Sequence, residues 1–138
     1  MRYRADLPTD PTIRRILIIK WSAMGDVIIA TALFEDIAQA FPNREIHLDT
    51  QPAWRDLLFA HDLRFQRILA VDWRDRHRRL HQTRTWLRQV REGNYDLVID
   101  LQGLFRSGFL ALASGAPIRV GFADGREFAP AFLTQPVV

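Results

Sequence analysis

The stretch Arg14-Arg15-Ile16-Leu17-Ile18-Ile19-Lys20-Trp21-Ser22-Ala23-Met24-Gly25-Asp26-Val27-Ile28-Ile29-Ala30 decides the fold. Its first half holds four consecutive apolar residues, Ile16 to Ile19, the pattern of a strand buried on both faces. A loop, Trp21 to Gly25, follows. From Asp26 the period changes, and Val27, Ile28, Ala30, Leu33, Phe34, Ile37 and Ala38 recur at helical spacing until Phe41-Pro42-Asn43. A strand that turns directly into a helix is the opening of a parallel α/β unit.

The same alternation continues along the chain. Glu45 to Asp49 reads as a second strand, and Pro52 to Phe59 as a short helix with proline in its first turn. Arg67 to Val71 is a third strand, running into an arginine-rich loop at 72–79. A helix follows, with Leu80, Leu87 and Val90 on one face and Trp86 beside them, closed by the stop signal Gly93-Asn94. Asp96 to Asp100 is the clearest strand. Gln102-Gly103 then turns the chain into a helix over 104–113, and Ile118 to Gly121 predicts a fifth strand. The expected architecture is a Rossmann-like parallel sheet with helices on both faces and right-handed crossovers. Residues 1–13, broken by Pro8 and Pro11, read as a flexible leader, which leaves 14–138 as the domain.

Composition fits that reading. A chain of 138 residues with 48% hydrophobic and 25% charged residues is long enough for one self-sufficient core. It has no cysteine, which excludes disulfides, thiolate nucleophiles and cysteine-based zinc sites. No apolar run approaches the ~20 residues of a membrane span. The charged, proline-interrupted N-terminus does not have the form of a secretory signal. These features predict a soluble, intracellular domain.

The net charge of +3 is unevenly placed. Between Arg67 and Arg91 lie eight arginines and two acids, a local +6 on a mildly acidic body. Such a stripe points to an anionic partner; the plainer reading is a solvated helix face in an arginine-rich protein, with 18 Arg and one Lys.

Ligands of open α/β sheets bind beyond the carboxyl ends of the strands, so three loops carry the chemistry. In Lys20 to Asp26 the single glycine rules against both G-x-G-x-x-G and the phosphate loop, and with them nicotinamide, flavin and ATPase readings. What remains is Asp26, either a helix cap or a catalytic carboxylate. The helix N-terminus favours its ionised form and lowers its basicity; a nearby anionic acceptor pushes the other way. In Asp100 to Ser107, Gly103 permits a tight turn or close approach to a ligand. Gln102 and Arg106 bring donors suited to hydroxyls and acidic groups, while Asp100 caps the following helix in the plainer reading. Gly121 to Glu127 contains the turn Asp124-Gly125 and the charged pair Arg126-Glu127. His77 and His81 are four apart but lack an H-E-x-x-H frame, and no G-x-S-x-G elbow occurs. Neither a metal site nor covalent acyl chemistry is expected.

At these residues the sequence resembles the heptosyltransferases of glycosyltransferase family 9. Ile16 to Lys20 with Ser22-Ala23-Met24-Gly25-Asp26-Val27 is similar to the family's opening. Tyr95 to Leu104 with Arg106-Ser107 is similar to its second signature, and Arg119 to Phe122 with Arg126-Glu127 to a third. The resemblance implies the N-terminal half of a GT-B architecture: a domain that binds an acidic Kdo-lipid A type acceptor at the inner face of the cytoplasmic membrane. The donor, ADP-heptose, would be held mainly by a C-terminal domain absent from these residues, and these 138 residues alone would be inert.

The resemblance further implies a cytoplasmic location and inverting transfer in lipopolysaccharide inner-core biosynthesis, with Asp26 as general base and no cofactor. Ser22, Met24, Gly25, Gln102, Gly103, Arg106 and Arg126 are then expected to bind substrate, and Arg74, Arg76, Arg78 and Arg79 to meet acceptor anions or anionic headgroups. Trp21 and Ala23 depart from the family, which often has small hydroxyl residues there. Two other readings stay open: a family 9 transferase with a different sugar or acceptor, and a non-catalytic binding module for acidic glycolipid. Nucleic-acid binding through the arginine stripe ranks last, because no recognised motif accompanies it.

Overall fold

Six parallel strands form one sheet in the computed structural model, which describes residues 6–122 and 133–137. They are β1 (Arg15–Ile19), β2 (Glu45–Thr50), β3 (Arg67–Ala70), β4 (Leu97–Asp100), β5 (Ile118–Phe122) and β6 (Gln135–Val137), in the order β3-β2-β1-β4-β5-β6. Among the described residues four helices connect the first five strands: α1 (Met24–Ala40), α2 (Pro52–Leu58), α3 (Arg79–Gly93) and α4 (Phe105–Ala113). In β1 the even and odd residues serve opposite faces. Ile16 and Ile18 meet Val27, Ala30 and Phe34 of α1, with the edge-packed rings of Phe34, Phe59 and Phe65 beside them. Leu17 and Ile19 meet Trp86 and Val90 of α3 and Leu110 and Ala111 of α4. A strand covered on both sides can be apolar at every position, and Ile16 to Ile19 are.

The layered architecture, the helix positions and the first five strands agree with the sequence reading to within a few residues. Three points differ. The leader is not loose throughout: Leu7 opens a 3-10 turn and joins the core with Ile13, which is completely buried. Two apolar side chains are enough to draw this segment onto the sheet despite its prolines. Next, α3 buries Gln82, Trp86, Val90 and Gly93, and Leu80 is exposed; its inward face is turned slightly from the one the apolar residues mark. Finally, β6 extends the sheet beside β5. Its three residues centre on Pro136, which an edge strand tolerates because one side makes no ladder bonds. Asn94, at φ 48°, takes the left-handed cap that ends α3.

Candidate active site at the carboxyl ends of the strands

Strand β1 lies at the centre of the order, with the strand that precedes α2 on one side and the strand that precedes α4 on the other. Its carboxyl end therefore collects loops far apart in sequence. Gln102, just beyond β4, is the main link. Its side-chain oxygen accepts the backbone N–H groups of Trp21 (3.0 Å) and Ser22 (3.2 Å), and its amide nitrogen donates to Ser22 Oγ (3.1 Å). One carboxamide thus fixes the start of the loop that leads into α1.

Gln102 is itself held by a tight turn around Asp100. Oδ1 of Asp100 accepts the N–H groups of Gln102 (3.0 Å) and Gly103 (3.1 Å), and Oδ2 accepts Ser107 Oγ (2.9 Å). Gly103, at φ 69°, supplies the left-handed residue this turn requires. Burial raises the Asp100 carboxyl above its usual range against the pull of these donors. Asp100 is the organiser of the turn and not, as the plainer sequence reading has it, the cap of the following helix: Leu104 holds that position.

Asp26 stands in the first turn of α1, exposed, but it is not the cap. Ala23 occupies that position and makes no side-chain capping bond. The Asp26 carboxylate has no hydrogen bond or ion pair with the described residues. It acts electrostatically on Lys20, buried just beyond β1, whose Nζ points to the Leu101 carbonyl at 3.4 Å. Burial lowers the Lys20 ammonium, and the charges of Asp26 and Asp100 partly restore it. Beside Asp26, Met24 is half-exposed, and a side chain at Gly25 would meet nothing within 4 Å, so the space over this helix end is open.

A cavity of about 300 Å³ adjoins Ser22, lined by Trp21, Gln51, Trp73, Arg74, Leu104 and Arg106, with Gln102 at its rim. The Trp21 and Trp73 rings lie 5.5 Å apart, and the Arg106 guanidinium sits 5.6 Å above Trp73. The Trp73 indole N–H is buried and has no acceptor among the described residues. The lining offers aromatic faces, guanidinium groups and amides, a combination suited to a hydroxyl-rich, negatively charged ring. A larger, shallow depression of about 510 Å³ lies between Pro11, Arg14, Arg15 and Arg44 at the amino ends of the strands, away from the loops that carry ligands in such sheets.

The structure therefore brings Ser22, Gln102, Arg74 and Arg106 to one cavity, with Gly103 in the turn that supports it. It separates Arg76, Arg78 and Arg79 from the cavity. These form a 3-10 turn (Arg76–Arg78) and the start of α3, all exposed, with no acid in the first turn of the helix. Arg126 lies outside the described residues. Sequence reasoning passed over Gln51 and Lys20, and it noted Trp21 only as a departure from the family; Trp21 and Trp73 are tryptophans at strand ends, which was the available signal. Among the described residues no group of three or more His, Asp or Glu side chains gathers as a metal site, and no helix is long and apolar enough to cross a membrane.

A parallel sheet of this strand order, covered by helices on both faces, defines a Rossmann-like α/β domain. The family model of glycosyltransferase family 9 (heptosyltransferase) matches residues 83–137. Lipopolysaccharide heptosyltransferase 1 of Pseudomonas aeruginosa is 31% identical over 102 residues, covering 70% of this chain and 28% of the relative. The enzyme of the same name from Campylobacter coli is 30% identical over 97 residues, with the same coverage of each chain. The chain thus spans less than a third of the length of these relatives. Among solved structures, E. coli heptosyltransferase WaaC with ADP superimposes with a TM-score of 0.72 at 27% identity, over 89% of this chain and 40% of that one. A family 9 glycosyl transferase from Veillonella parvula shares the fold with a TM-score of 0.78, over 91% of this chain and 35% of that one. The chain belongs to glycosyltransferase family 9.

Proposed function

We propose that this chain is the acceptor-binding domain of an inverting heptosyltransferase, with ADP-heptose as donor and an acidic Kdo-lipid A type glycolipid as acceptor. The observation that carries the reading is Asp26: an exposed carboxylate without a hydrogen bond or ion pair among the described residues, on a helix whose entry is pinned by Gln102 beside a cavity of indoles and guanidinium groups. The relatives named above are heptosyltransferases, and E. coli WaaC has been solved with ADP and with ADP-2-deoxy-2-fluoro heptose.

In this mechanism the acceptor sugar occupies the cavity, with Arg74 and Arg106 meeting its carboxylates. Asp26 takes the proton of the attacking hydroxyl as its oxygen bonds to the anomeric carbon, and ADP leaves from the opposite face. No cofactor is assigned. The donor diphosphate is assigned to the part of the relatives' length that these residues do not span. Preorganised charge there would stabilise the leaving group.

Arg76, Arg78 and Arg79 lie at the positive end of α3, where the helix dipole disfavours cations. Helix stability does not explain them there; an anionic partner does. We assign them to phosphates of the acceptor or to headgroups at the inner membrane face, where the lipid would hold the protein peripherally. Replacing all three by Ala is expected to raise KM for the acceptor roughly tenfold or more, at a few-fold per lost surface charge contact, and to leave KM for ADP-heptose unchanged. Equal effects on both substrates would refute the assignment. The reading as a whole is tested by assaying the complete enzyme with ADP-heptose and Kdo-lipid A. Transfer supports it; acceptor binding without transfer leaves a glycolipid-binding module, and transfer with other substrates a relative of different specificity.

A further inference from the structure

Asp49 is a carboxylate in the wrong place for stability. It lies on β2, completely buried, on the face that packs against α3. Its Oδ2 accepts two indole N–H groups, from Trp21 at 2.9 Å and from Trp86 at 2.5 Å, while Oδ1 is sealed and has no partner. Among the described residues no cation pairs with it. A buried acid held by two neutral donors stabilises a core less than an apolar side chain of the same size. What this one does is fix two tryptophans.

The second of these, Trp86, belongs to the core of α3. The first does not serve the core alone. Trp21 is the residue between Lys20 and the Ser22–Asp26 segment, and it walls the cavity. Its N–H goes to Gln102, its carbonyl accepts the Trp54 indole at 2.9 Å, and its ring lies against Trp73. The bond to Asp49 is what sets the rotation of that ring. Without it the indole N–H would be buried with no acceptor, and the ring and the chain that carries it would shift to find one.

We propose that Asp49 is a positioning residue: its carboxylate oxygen holds Trp21 against Trp86, and in doing so sets the cavity wall and the path of the segment leading to Asp26. The proposal rests on the reading of that cavity and of Asp26 given above. Around Asp49 the inward faces of β1, β3, β4 and α3 present Leu17, Ile19, Leu69, Val98, Gln82 and Trp86, none of which titrates. His47, on the same face of β2, and Tyr95, before β4, are the titratable neighbours and bond to each other at 2.6 Å. Burial lowers His47 and pushes Tyr95 up to about 12, while it pushes Asp49 up to about 7.

The test has a spectroscopic and a kinetic arm. In 15N-labelled protein the indole N–H resonances of Trp21 and Trp86 should move together between pH 5 and 9 with a midpoint near 7, and Asp49→Asn should abolish that movement. Indole resonances that Asp49→Asn leaves unmoved at every pH, or a titration that survives Asp49→Asn, would overturn the proposal. In the complete enzyme, Asp49→Leu should lower kcat roughly tenfold at an unchanged KM for the donor, as a small misplacement of a catalytic segment does. Asp49→Asn keeps an acceptor oxygen and should stay within about threefold of the parent. Trp21→Phe removes the same bond from its other end and should reproduce the loss, which keeps the idea testable if Asp49→Leu does not fold. Parental kcat in folded Asp49→Leu or Trp21→Phe would refute a positioning role. The two readings fail separately: an active Asp26→Asn removes the proposed base and leaves the bond of Asp49 to the indoles intact, whereas indoles unmoved by Asp49→Asn beside an inactive Asp26→Asn remove only the role of Asp49.

Discussion

Asp26→Asn in the complete enzyme is expected to lower kcat by about 10²–10⁴-fold, the range typical of a lost general base, with the melting temperature essentially unchanged. Both halves of that expectation come from the same geometry. The carboxylate is exposed, is not the cap of α1, and bonds to none of the described residues, so an isosteric amide disturbs no contact. Asparagine keeps the shape and hydrogen-bonding reach of aspartate but cannot take the proton of an attacking hydroxyl. A steady-state assay together with a thermal melt decides the matter. Transfer within tenfold of the parental rate would remove Asp26 from the mechanism, and a large loss of stability would mean the side chain is structural.

The second large effect concerns stability and pH. Burial raises the Asp49 carboxyl from 3.8 to about 7. Between those values the unfolded chain has released this proton and the folded chain still holds it. Stability therefore falls as pH rises through this window, by about 1.4 kcal/mol per pH unit. The whole effect is on the order of 4 kcal/mol, present in full below pH 4 and lost by pH 7–8. Asp49→Asn does not titrate. Urea unfolding of parent and variant at pH 4 and pH 8 should show the parent losing several kcal/mol relative to the variant. A difference that does not change with pH would show that Asp49 stays ionised, or that water reaches it.

Much of the fold was legible because its signals are local. Ile16 to Ile19 and Leu97 to Asp100 are short, continuously apolar and followed by helical periods, and that pattern alone implies parallel strands covered on both faces. Leu7 and Ile13 were misread because Pro8 and Pro11 argue against regular structure but not against burial. Strand β6 was missed because three residues around a proline carry no periodicity. At the site, Asp26, Gln102, Gly103 and Arg106 stood out as polar or glycine residues at strand ends and through the family resemblance. The roles of Asp49 and Trp21 could not be read from sequence. An aspartate closing a strand looks like any loop acid until the fold brings two indoles onto one of its oxygens from 28 and 37 residues away. The arginine stripe shows the opposite case: a cluster in sequence that the fold divides, with Arg74 at the cavity and Arg76, Arg78 and Arg79 on the outer surface.

The place of β1 in the strand order also has a consequence for synthesis. As the chain leaves the ribosome, β1, β2 and β3 are complete long before Leu97 to Asp100 has been made, and they can already pair side by side. Until β4 emerges, one edge of Ile16 to Ile19 is bare, a row of open backbone groups on an apolar strand. That is the kind of surface on which nascent chains aggregate or recruit chaperones. The event that closes this edge, β4 joining β1 in register from Ile16 with Leu97 to Ile19 with Asp100, also delivers Gln102 to Trp21 and Ser22. Protection of the nascent sheet and assembly of the site are thus a single late step.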